Sequence, residues 1–369
     1  MELTYLGAIG LSGVIAFFAG LLLLINRTTV TRLLVPRNDH RAVQASHFGA
    51  PLRLGGVAVL IGMCAGALML SGRSEGTYTM LLLLSTLPVF LAGLSEDSGR
   101  RVAPKWRMGA AIVSSAVAVA LLGLWVPRAD LPGLDWVLGF SAIAILVTVL
   151  FAGGFCHALN LIDGMNGLAA MTIILSTLGL GMIAGDHGLA QVSALAYLIS
   201  AGAVGFLLLN WPNSHLMLGD AGAYSLGHLV VWLAISIVAL APAVSVPALL
   251  LVLFWPLADT THTIARRLLD GRPLFEPDRM HLHQKLRRGL EIVLVGRHRR
   301  DLSNPLSTLI LLPLIAAPVL TGVLLADQAL AAWTALLAYW GLFALLHVGA
   351  TRYVRRRRLR PTGLVVPAE

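Results

Sequence analysis

The chain contains a succession of apolar runs, each about long enough to cross a lipid bilayer. A spanning helix needs roughly 17–25 mostly apolar residues, because a helix rises about 1.5 Å per residue and the hydrocarbon core is about 30 Å thick. Runs of this kind occupy residues 5–25, 54–71, 78–94, 108–126, 135–154, 168–185, 188–209, 223–241, 244–260, 306–325 and 328–349. The sequence therefore predicts an all-α, polytopic membrane bundle of about eleven transmembrane helices.

Charged residues are scarce and mostly basic. Only 12% of the 369 residues are charged, against about 25% in soluble domains. The apolar runs leave no length for a soluble core, so we expect one transmembrane domain over residues 1–350 and a basic tail over 351–369. The net charge of +9 does not indicate nucleic-acid binding, because the basic residues are spread between the apolar runs and collect at the C-terminus.

Arginine and lysine residues collect in alternate loops. They are abundant in residues 27–41, 100–107 and 266–300, whereas the intervening loops carry little besides Arg73 and Arg128. Cytoplasmic loops are enriched in these residues, so the pattern predicts an outside N-terminus and a cytoplasmic C-terminus. The predicted cytoplasmic loops are residues 26–53, 95–107, 155–167, 210–222 and 261–305.

Nearly all conspicuous polar residues fall in those same loops. They are Glu96 and Asp97, then Asn160, Asp163 and Asn166, then Asn210 and Asp220, and finally Asp278, His281 and His283. A transporter is expected to place ionisable residues within its spans, along the substrate pathway. Here the spans are nearly free of them, apart from His228 and a few residues near helix ends. The pattern indicates chemistry at the inner membrane surface.

Carboxylates beside arginine and histidine suit a reaction of metal-bound phosphate. Mg²⁺ prefers carboxylate oxygens and bridges to substrate phosphates, while Arg and His bind phosphate oxygens. Each motif also has a simpler interpretation: Glu96-Asp97 as a solvated helix end, Asp163-Gly164 as a turn, and Asp220 as a helix N-cap. His281 and His283 lack the i, i+4 spacing of a helical zinc site. Taken singly, the motifs leave both interpretations open.

In their order along the chain, the same motifs resemble those of the polyprenyl-phosphate N-acetylhexosamine-1-phosphate transferases, a superfamily that includes WecA-type and MraY-type enzymes. The likeness runs from about His47 to Pro305. His47 with Arg53-Leu54-Gly55-Gly56 is similar to the family's His…Pro-Arg-x-Gly-Gly motif. Glu96-Asp97 stands where the family usually has Asp-Asp.

Later motifs extend the resemblance and favour the WecA-like branch. Asn160-x-x-Asp163-Gly-x-Asn166-Gly-Leu resembles the family's Asn-x-x-Asp-Gly-x-Asp-Gly-Leu segment, and Asn210 is followed by Gly219-Asp220 as in its Asn…Gly-Asp-x-Gly segment. The WecA-type C-terminal loop is matched by Pro256 and Asp259, Arg266-Arg267, Pro273-Leu274-Phe275 and Asp278-Arg279-x-His281-x-His283. The Pro-Leu-His-His-His run of the MraY type is absent.

Three positions depart from the family pattern. Glu96 replaces an Asp and keeps a carboxylate, whereas Asn166 replaces an Asp and Gln284 replaces a His. The last two lose charge or basicity, so the resemblance implies binding roles rather than acid–base roles for them. They also leave an altered sugar specificity open.

The resemblance implies an enzyme that transfers N-acetylhexosamine-1-phosphate, by default GlcNAc-1-phosphate, from a UDP-sugar to undecaprenyl phosphate. UMP leaves, and the reaction is the first membrane step of cell-envelope polysaccharide synthesis. The implied partners are the UDP-N-acetylhexosamine, undecaprenyl phosphate and the lipid bilayer, without nucleic acid; a homodimer stays open. The implied location is the inner (cytoplasmic) membrane, with the active site on its cytoplasmic face. An MraY-like phospho-MurNAc-pentapeptide transferase, a transporter and an inactive relative remain the alternatives.

The resemblance also implies roles for individual residues. The catalytic residues would be Glu96, Asp97, Asp163, Asp220, His281 and His283. The substrate-binding residues would be His47, Arg53, Asn160, Asn166, Asn210, Arg267 and Arg279. The expected cofactor is Mg²⁺, with Mn²⁺ as a substitute, held by Asp220 and Asp97.

Overall fold

The computed structural model describes residues 3–34, 51–273, 278, 280–296 and 299–358. Within these ranges the chain is helical throughout its regular structure, with a short π-helical turn at Glu291–Val295. The α-helices are α1 Leu3–Ile25, α2 Arg27–Leu34, α3 Gly55–Met69, α4 Ser74–Ser85, α5 Leu87–Asp97, α6 Pro104–Leu122, α7 Pro132–Leu138, α8 Ser141–Ile162, α9 Leu168–Asp186, α10 Ala190–Asn210, α11 Gly219–Leu240, α12 Val246–Val252, α13 Phe254–Leu269, α14 Leu282–Leu290, α15 Arg300–Leu324 and α16 Ala329–Arg358.

The predicted membrane bundle is confirmed. In the described part of the chain, eight helices are long and apolar enough to cross a membrane: α1, α6, α8, α9, α10, α11, α15 and α16. Two bent pairs, α4–α5 at 49° and α12–α13 at 88°, raise the number to ten if each pair is one span. The eleventh predicted run corresponds to α3, which is apolar but only 15 residues long. The orientation of the termini stays a prediction.

Helices extend further into the polar segments than the apolar runs indicate. Residues 155–162, expected in a loop, form the last turns of α8, and Asn160 lies on that helix. Glu96 and Asp97 likewise belong to the last turn of α5. The loop prediction was wrong at these positions, because a polar residue at a helix end keeps its backbone hydrogen bonds while its side chain turns toward polar neighbours. Several predicted site residues are therefore held on rigid helices.

Helix α11 forms the centre of the bundle. Every residue from Gly219 to Val238 is buried, including the large side chains of Tyr224 and Trp232. The helix packs against α3, α5, α8, α9 and α10. Because α11 begins at Gly219, the carboxylate of Asp220 lies at the buried end of a helix surrounded by other helices.

Glycines let three of these helices meet without intervening side chains. A Cβ atom added to Gly56 of α3 would lie 1.9 Å from the Cα of Gly222 in α11. One added to Gly93 of α5 would lie 2.5 Å from the backbone nitrogen of Ala221. The close contacts bring the end of α5 and the beginning of α3 against the beginning of α11.

The segment before α3 pairs with the segment before α11. The amide of Met217 donates to the carbonyl of Leu52 at 2.9 Å, and the amide of Gly55 donates to the carbonyl of Met217 at 2.8 Å. This short parallel pairing fixes Arg53 beside the first turn of α11.

Candidate active site

Asp97 caps α11 from a neighbouring helix. Its Oδ1 accepts the backbone N–H of Asp220 at 3.0 Å, and its Oδ2 accepts the N–H of Ala221 at 2.8 Å. A helix N-terminus has unpaired N–H groups and a partial positive charge, both of which favour a carboxylate there. The sequence left an N-cap role open for Asp220; the cap is instead Asp97, and Asp220 lies in the first turn.

The side chain of Asp220 is held by two arginines and an asparagine. Arg53 Nη2 donates to Oδ1 at 2.7 Å and Arg107 Nη1 donates to Oδ2 at 2.6 Å. Asn160 Nδ2 lies 3.3 Å from Oδ1. Arg53 also approaches Asp97, with its Nε 3.4 Å from Oδ1. The Asp220 side chain is 5% exposed while that of Arg53 is 45% exposed, so Arg53 forms the open rim of this cluster.

Asp163 completes the group of carboxylates. Its Oδ2 accepts the N–H of Gly219 at 3.2 Å. Gly219 has a left-handed φ of 75°, and a Cβ there would lie 2.1 Å from the Arg53 carbonyl oxygen, so only glycine fits this turn. Burial raises the pKa of Asp163 well above its usual range, although Arg53 and the Gly219 N–H oppose the shift. Burial alone would lower the pKa of Arg53, but the carboxylates of Asp97, Asp220 and Asp163 outweigh it and raise that pKa.

Asp97, Asp163 and Asp220, with the side chains around them, are here called the acid cluster. The sequence analysis did not identify three of its residues as site residues: Arg107, Tyr224 and His157. Arg107 appeared there only as a marker of orientation. Tyr224 and His157 lie beside Asp220, with their rings 4.8 Å apart. Tyr224 follows Asp220 by four residues, the spacing that puts two side chains on one face of a helix. That spacing was the available signal.

Glu96 has a different role from its neighbour Asp97. Its Oε2 accepts the backbone N–H of Val102 at 2.7 Å, which closes the turn between α5 and α6. Among the described residues, Glu96 forms its hydrogen bond with this turn rather than with the Asp220 side chain. The predicted catalytic role of Glu96 stays a prediction, and the geometry assigns it a turn-forming contact.

Asn210 and Asn166 join the loops below the acid cluster. Asn210 Oδ1 accepts the N–H of Gly167 at 2.6 Å, and its Nδ2 donates to the Leu216 carbonyl at 2.7 Å. Asn166 Nδ2 donates to the Pro212 carbonyl at 2.6 Å. An aspartate at position 166 would direct a carboxylate oxygen at that carbonyl, so asparagine suits the local structure. Their predicted substrate contacts remain predictions.

A second cluster, here called the histidine cluster, consists of Asp259, His281 and His283. His281 Nδ1 donates to Asp259 Oδ2 at 2.8 Å, and His283 Nδ1 lies 3.7 Å from the same oxygen. The two imidazoles stack with centroids 5.4 Å apart and an angle of 12°. All three side chains are almost completely buried.

The two histidines differ in their protonation. Burial lowers the pKa of His283 to about 4, so it is neutral at pH 7. Burial also acts to lower the pKa of His281, but the carboxylate of Asp259 outweighs it and raises that pKa. Within the described part of the chain, His281 Nε2 is buried and has no hydrogen-bond partner. The raised pKa favours the imidazolium form of His281, whose Nε2–H would then be a donor suited to a substrate anion.

The remaining predicted site residues lie around this second cluster or outside the described residues. Arg267 Nη1 donates to the Pro273 carbonyl at 2.5 Å, and Arg266 pairs with Asp278. His47 and Arg279 lie outside the residues that the structure describes. Helix α8 carries Asn160 near its carboxyl end, and helix α13 carries Asp259. These two helices pack against each other.

The acid cluster has the donor atoms that a hard cation needs. Three carboxylates and two guanidinium groups meet there, so the cluster has an excess of negative charge when all are ionised. In the described residues no three His, Cys, Asp or Glu side chains form a preassembled metal site. Mg²⁺ usually binds through one or two carboxylates and substrate phosphates, so such a cage is not required. Asp220 and Asp163 could hold the ion if Arg53 or Arg107 releases an oxygen of Asp220. Both oxygens of Asp97 accept backbone N–H groups of α11, and its role as a metal ligand stays a prediction.

Comparisons with known proteins identify related sequences. The sequence model of glycosyl transferase family 4 matches residues 79–238, which include Asp97, Asp163 and Asp220. The probable undecaprenyl-phosphate N-acetylglucosaminyl 1-phosphate transferase of Bacillus subtilis is 27% identical over 284 residues, covering 74% of this chain and 76% of the relative.

Two further relatives cover less of the chain. The decaprenyl-phosphate N-acetylglucosaminephosphotransferase of Mycobacterium tuberculosis is 29% identical over 63% of this chain and 65% of the relative. The phospho-N-acetylmuramoyl-pentapeptide-transferase of Moorella thermoacetica is 28% identical over 54% of this chain and 65% of the relative. The chain is thus similar to glycosyl transferase family 4 over residues 79–238, and its motifs and relatives resemble the polyprenyl-phosphate hexosamine-1-phosphate transferases of the WecA-like branch.

Proposed function

We propose that the protein transfers N-acetylhexosamine-1-phosphate, by default GlcNAc-1-phosphate, from a UDP-sugar to undecaprenyl phosphate. An oxygen of the lipid phosphate attacks the phosphorus next to the sugar, and the bond from that phosphorus to the oxygen of UMP breaks. The products are polyprenyl-pyrophosphoryl-sugar and UMP. The names of the relatives support the lipid acceptor and the N-acetylglucosaminyl group.

The observation that carries the proposal is the acid cluster at the buried start of α11. Asp97 fixes the backbone of Asp220, and Arg53 and Arg107 fix its carboxylate. A phosphate monoester has a second pKa of about 6 and is largely ionised at neutral pH, so a strong general base is not needed. Positioning and charge neutralisation would then supply most of the rate.

Mg²⁺ fits this proposal. When bound, it would offset charge on the diphosphate and make UMP a better leaving group. Asp220, supported by Asp163, would hold the ion. Arg53, which is partly exposed, would then exchange its contact with Asp220 for a phosphate oxygen.

The histidine cluster would bind the other end of the donor. The imidazolium of His281 presents a buried N–H, suited to a pyrophosphate oxygen or a sugar hydroxyl. Asp259 favours the charged form of that ring and fixes its orientation through Nδ1. Arg267, the predicted binding residue on α13, would contribute a second positive charge to donor binding.

The active site would face the cytoplasm at the inner membrane. UDP-sugars are cytosolic, and the phosphate of the lipid lies in the inner headgroup layer. The basic loops near the site favour this side by the positive-inside rule. The long apolar tail of the acceptor would remain in the bilayer.

The test is Mg²⁺-dependent release of UMP from UDP-GlcNAc and undecaprenyl phosphate by the detergent-purified protein. We expect release by the wild type and a loss of at least about 100-fold in Asp220→Asn, since the interaction acts on the reacting phosphate. Asp327→Asn, at an exposed carboxylate paired with His187, is the control and should keep full activity. Absence of release with every donor tried would refute the proposal.

An MraY-like activity on UDP-N-acetylmuramoyl-pentapeptide is the second candidate. A relative of that name covers about half of the chain. The same assay separates the two by its donor, because release from the muramoyl-pentapeptide donor but not from UDP-GlcNAc would favour this candidate.

A further inference from the structure

The last helix of the bundle contacts the segment that carries the two site histidines. His347 of α16 lies 3.0 Å through Nε2 from the carbonyl oxygen of Met280, the residue directly before His281. Its other ring nitrogen, Nδ1, lies 2.9 Å from Nε2 of His262 in α13. His347 is 4% exposed. One buried imidazole thus joins three parts of the chain that are 18 to 85 residues apart.

A buried lysine strengthens the same junction. Lys285 Nζ lies 3.2 and 3.0 Å from the two ring nitrogens of His347, which places it against the ring. It also donates to Thr351 Oγ1 of α16 at 2.6 Å. Lys285 belongs to α14, for which His281 is the N-cap residue, and its own N–H donates to the His281 carbonyl. α16 therefore holds both the residue before His281 and the helix that follows it.

These contacts determine where the ring of His281 can lie. His281 reaches Asp259 through Nδ1 while its backbone starts α14. If the Met280 carbonyl moved, the start of α14 would move with it and the 2.8 Å contact to Asp259 would be lost. His347 contacts the Met280 carbonyl, Lys285 and His262, and no hydrogen bond joins it to the rings of His281 or His283 in the described residues, so it acts on those rings through the segments that carry them.

We propose that His347 is a positioning residue for His281, and that α16 is a working part of the active site. This inference rests on the proposed function. α16 lies well beyond residues 79–238, where the family model matches. His281, which also lies beyond the matched residues, would then be placed by α16 through one imidazole and one lysine.

The first experiment measures hydrogen–deuterium exchange of residues 280–290 in detergent. His347→Phe keeps an aromatic ring but removes both nitrogens, and we expect exchange in that segment to rise about tenfold or more because the tie to α16 is lost. Tyr339→Phe removes a hydrogen bond to Thr321 elsewhere on α16 and should leave the segment unchanged. His347→Gln retains an N–H donor for the Met280 carbonyl and should restore most of the protection.

The second experiment compares UMP release by His281→Ala, His347→Phe and the double variant. A residue that acts only through His281 costs nothing further once that ring is removed, so the double variant should equal His281→Ala in kcat/KM. Losses that multiply, or unchanged exchange in His347→Phe, would overturn the inference. So would equal exchange in the Phe and Gln variants. If the wild type releases UMP from no donor, the proposed function fails, while the exchange experiment still decides whether His347 holds the segment.

Discussion

The carboxylate of Asp97 accepts the backbone N–H of Asp220, so the end of α5 fixes the start of α11. The N–H of Ala221 donates a second hydrogen bond, to the other carboxylate oxygen of Asp97. This relationship explains why two carboxylates far apart in sequence lie together in a largely apolar bundle. Asp97 stabilises the helix and, by the same bonds, determines the position of the Asp220 side chain.

Asp97→Asn should therefore reduce both stability and activity. An amide can accept only one of the two N–H groups and would direct its NH₂ at the other. We expect a loss of about 1–2 kcal/mol in unfolding free energy, the usual cost of a lost cap, and a large drop in kcat. Thermal unfolding in detergent and UMP release measure the two. Full activity in this variant would contradict the role assigned to Asp97.

Glu96→Gln should have a much smaller effect. The glutamine oxygen can still accept the N–H of Val102, so the turn after α5 is kept. We expect kcat within about threefold of wild type, as for most changes that keep a hydrogen bond and touch no reacting group. Steady-state UMP release beside Asp97→Asn makes the comparison. A loss as large as that of Asp97→Asn would place Glu96 in the chemistry instead.

Gly56→Ala should destabilise the bundle. The new methyl group would lie 1.9 Å from the Cα of Gly222, and backbone cannot move aside cheaply. Overpacking of this kind costs about 1–3 kcal/mol. Gly109→Ala in α6 is the matched control, because a Cβ there meets no atom within 4 Å. Thermal unfolding of both variants tests the prediction, and equal melting temperatures would contradict it.

Asp259→Asn should change how donor binding depends on pH. Asp259 raises the pKa of His281, so the imidazolium form persists to higher pH in the wild type than it would without this carboxylate. In the variant burial dominates and the pKa falls, so the KM for the UDP-sugar should rise at a lower pH than in wild type. The measurement is the KM for the UDP-sugar in both proteins from about pH 5.5 to about pH 8.5, a range that contains the ordinary histidine pKa of about 6.5.

The same substitution has a stability signature. A histidine whose folded pKa is raised contributes stability that is complete below its unfolded pKa of about 6.5 and is lost as pH rises through the folded value. Asp259→Asn should thus be more destabilising near pH 6 than at alkaline pH. Asp327→Asn removes the partner of another histidine, His187, and should leave the KM profile unchanged.

The membrane bundle and the acid cluster could largely be predicted from the sequence. Apolar length determines whether a helix can cross a bilayer, so each span could be predicted from its own apolar run. Asp97, Asp163 and Asp220 could be predicted as site residues because each is a carboxylate at the edge of an apolar run. Their mutual distances were not, since these depend on glycine contacts between helices that are distant in sequence.

Other parts of the site carry no signal of that kind. Arg107 resembles any basic residue near a membrane surface, and His157 lies inside an apolar helix. His347 could not be connected with Met280 from sequence, because the link exists only once α16 packs against α14. Sequence also could not separate Glu96 from Asp97, since which of two adjacent carboxylates faces a helix end depends on the rotation of α5.

The contact between Gly56 and Gly222 has a mechanical consequence. Packed side chains can change rotamer and so accommodate a small displacement, whereas two backbones in direct contact cannot adjust in this way. A shift of α3 along or across α11 is therefore passed on at full amplitude to Arg53 on one side and Asp220 on the other. Lipid thickness or a neighbouring protein that tilts α3 would act directly on the alignment of these two charges.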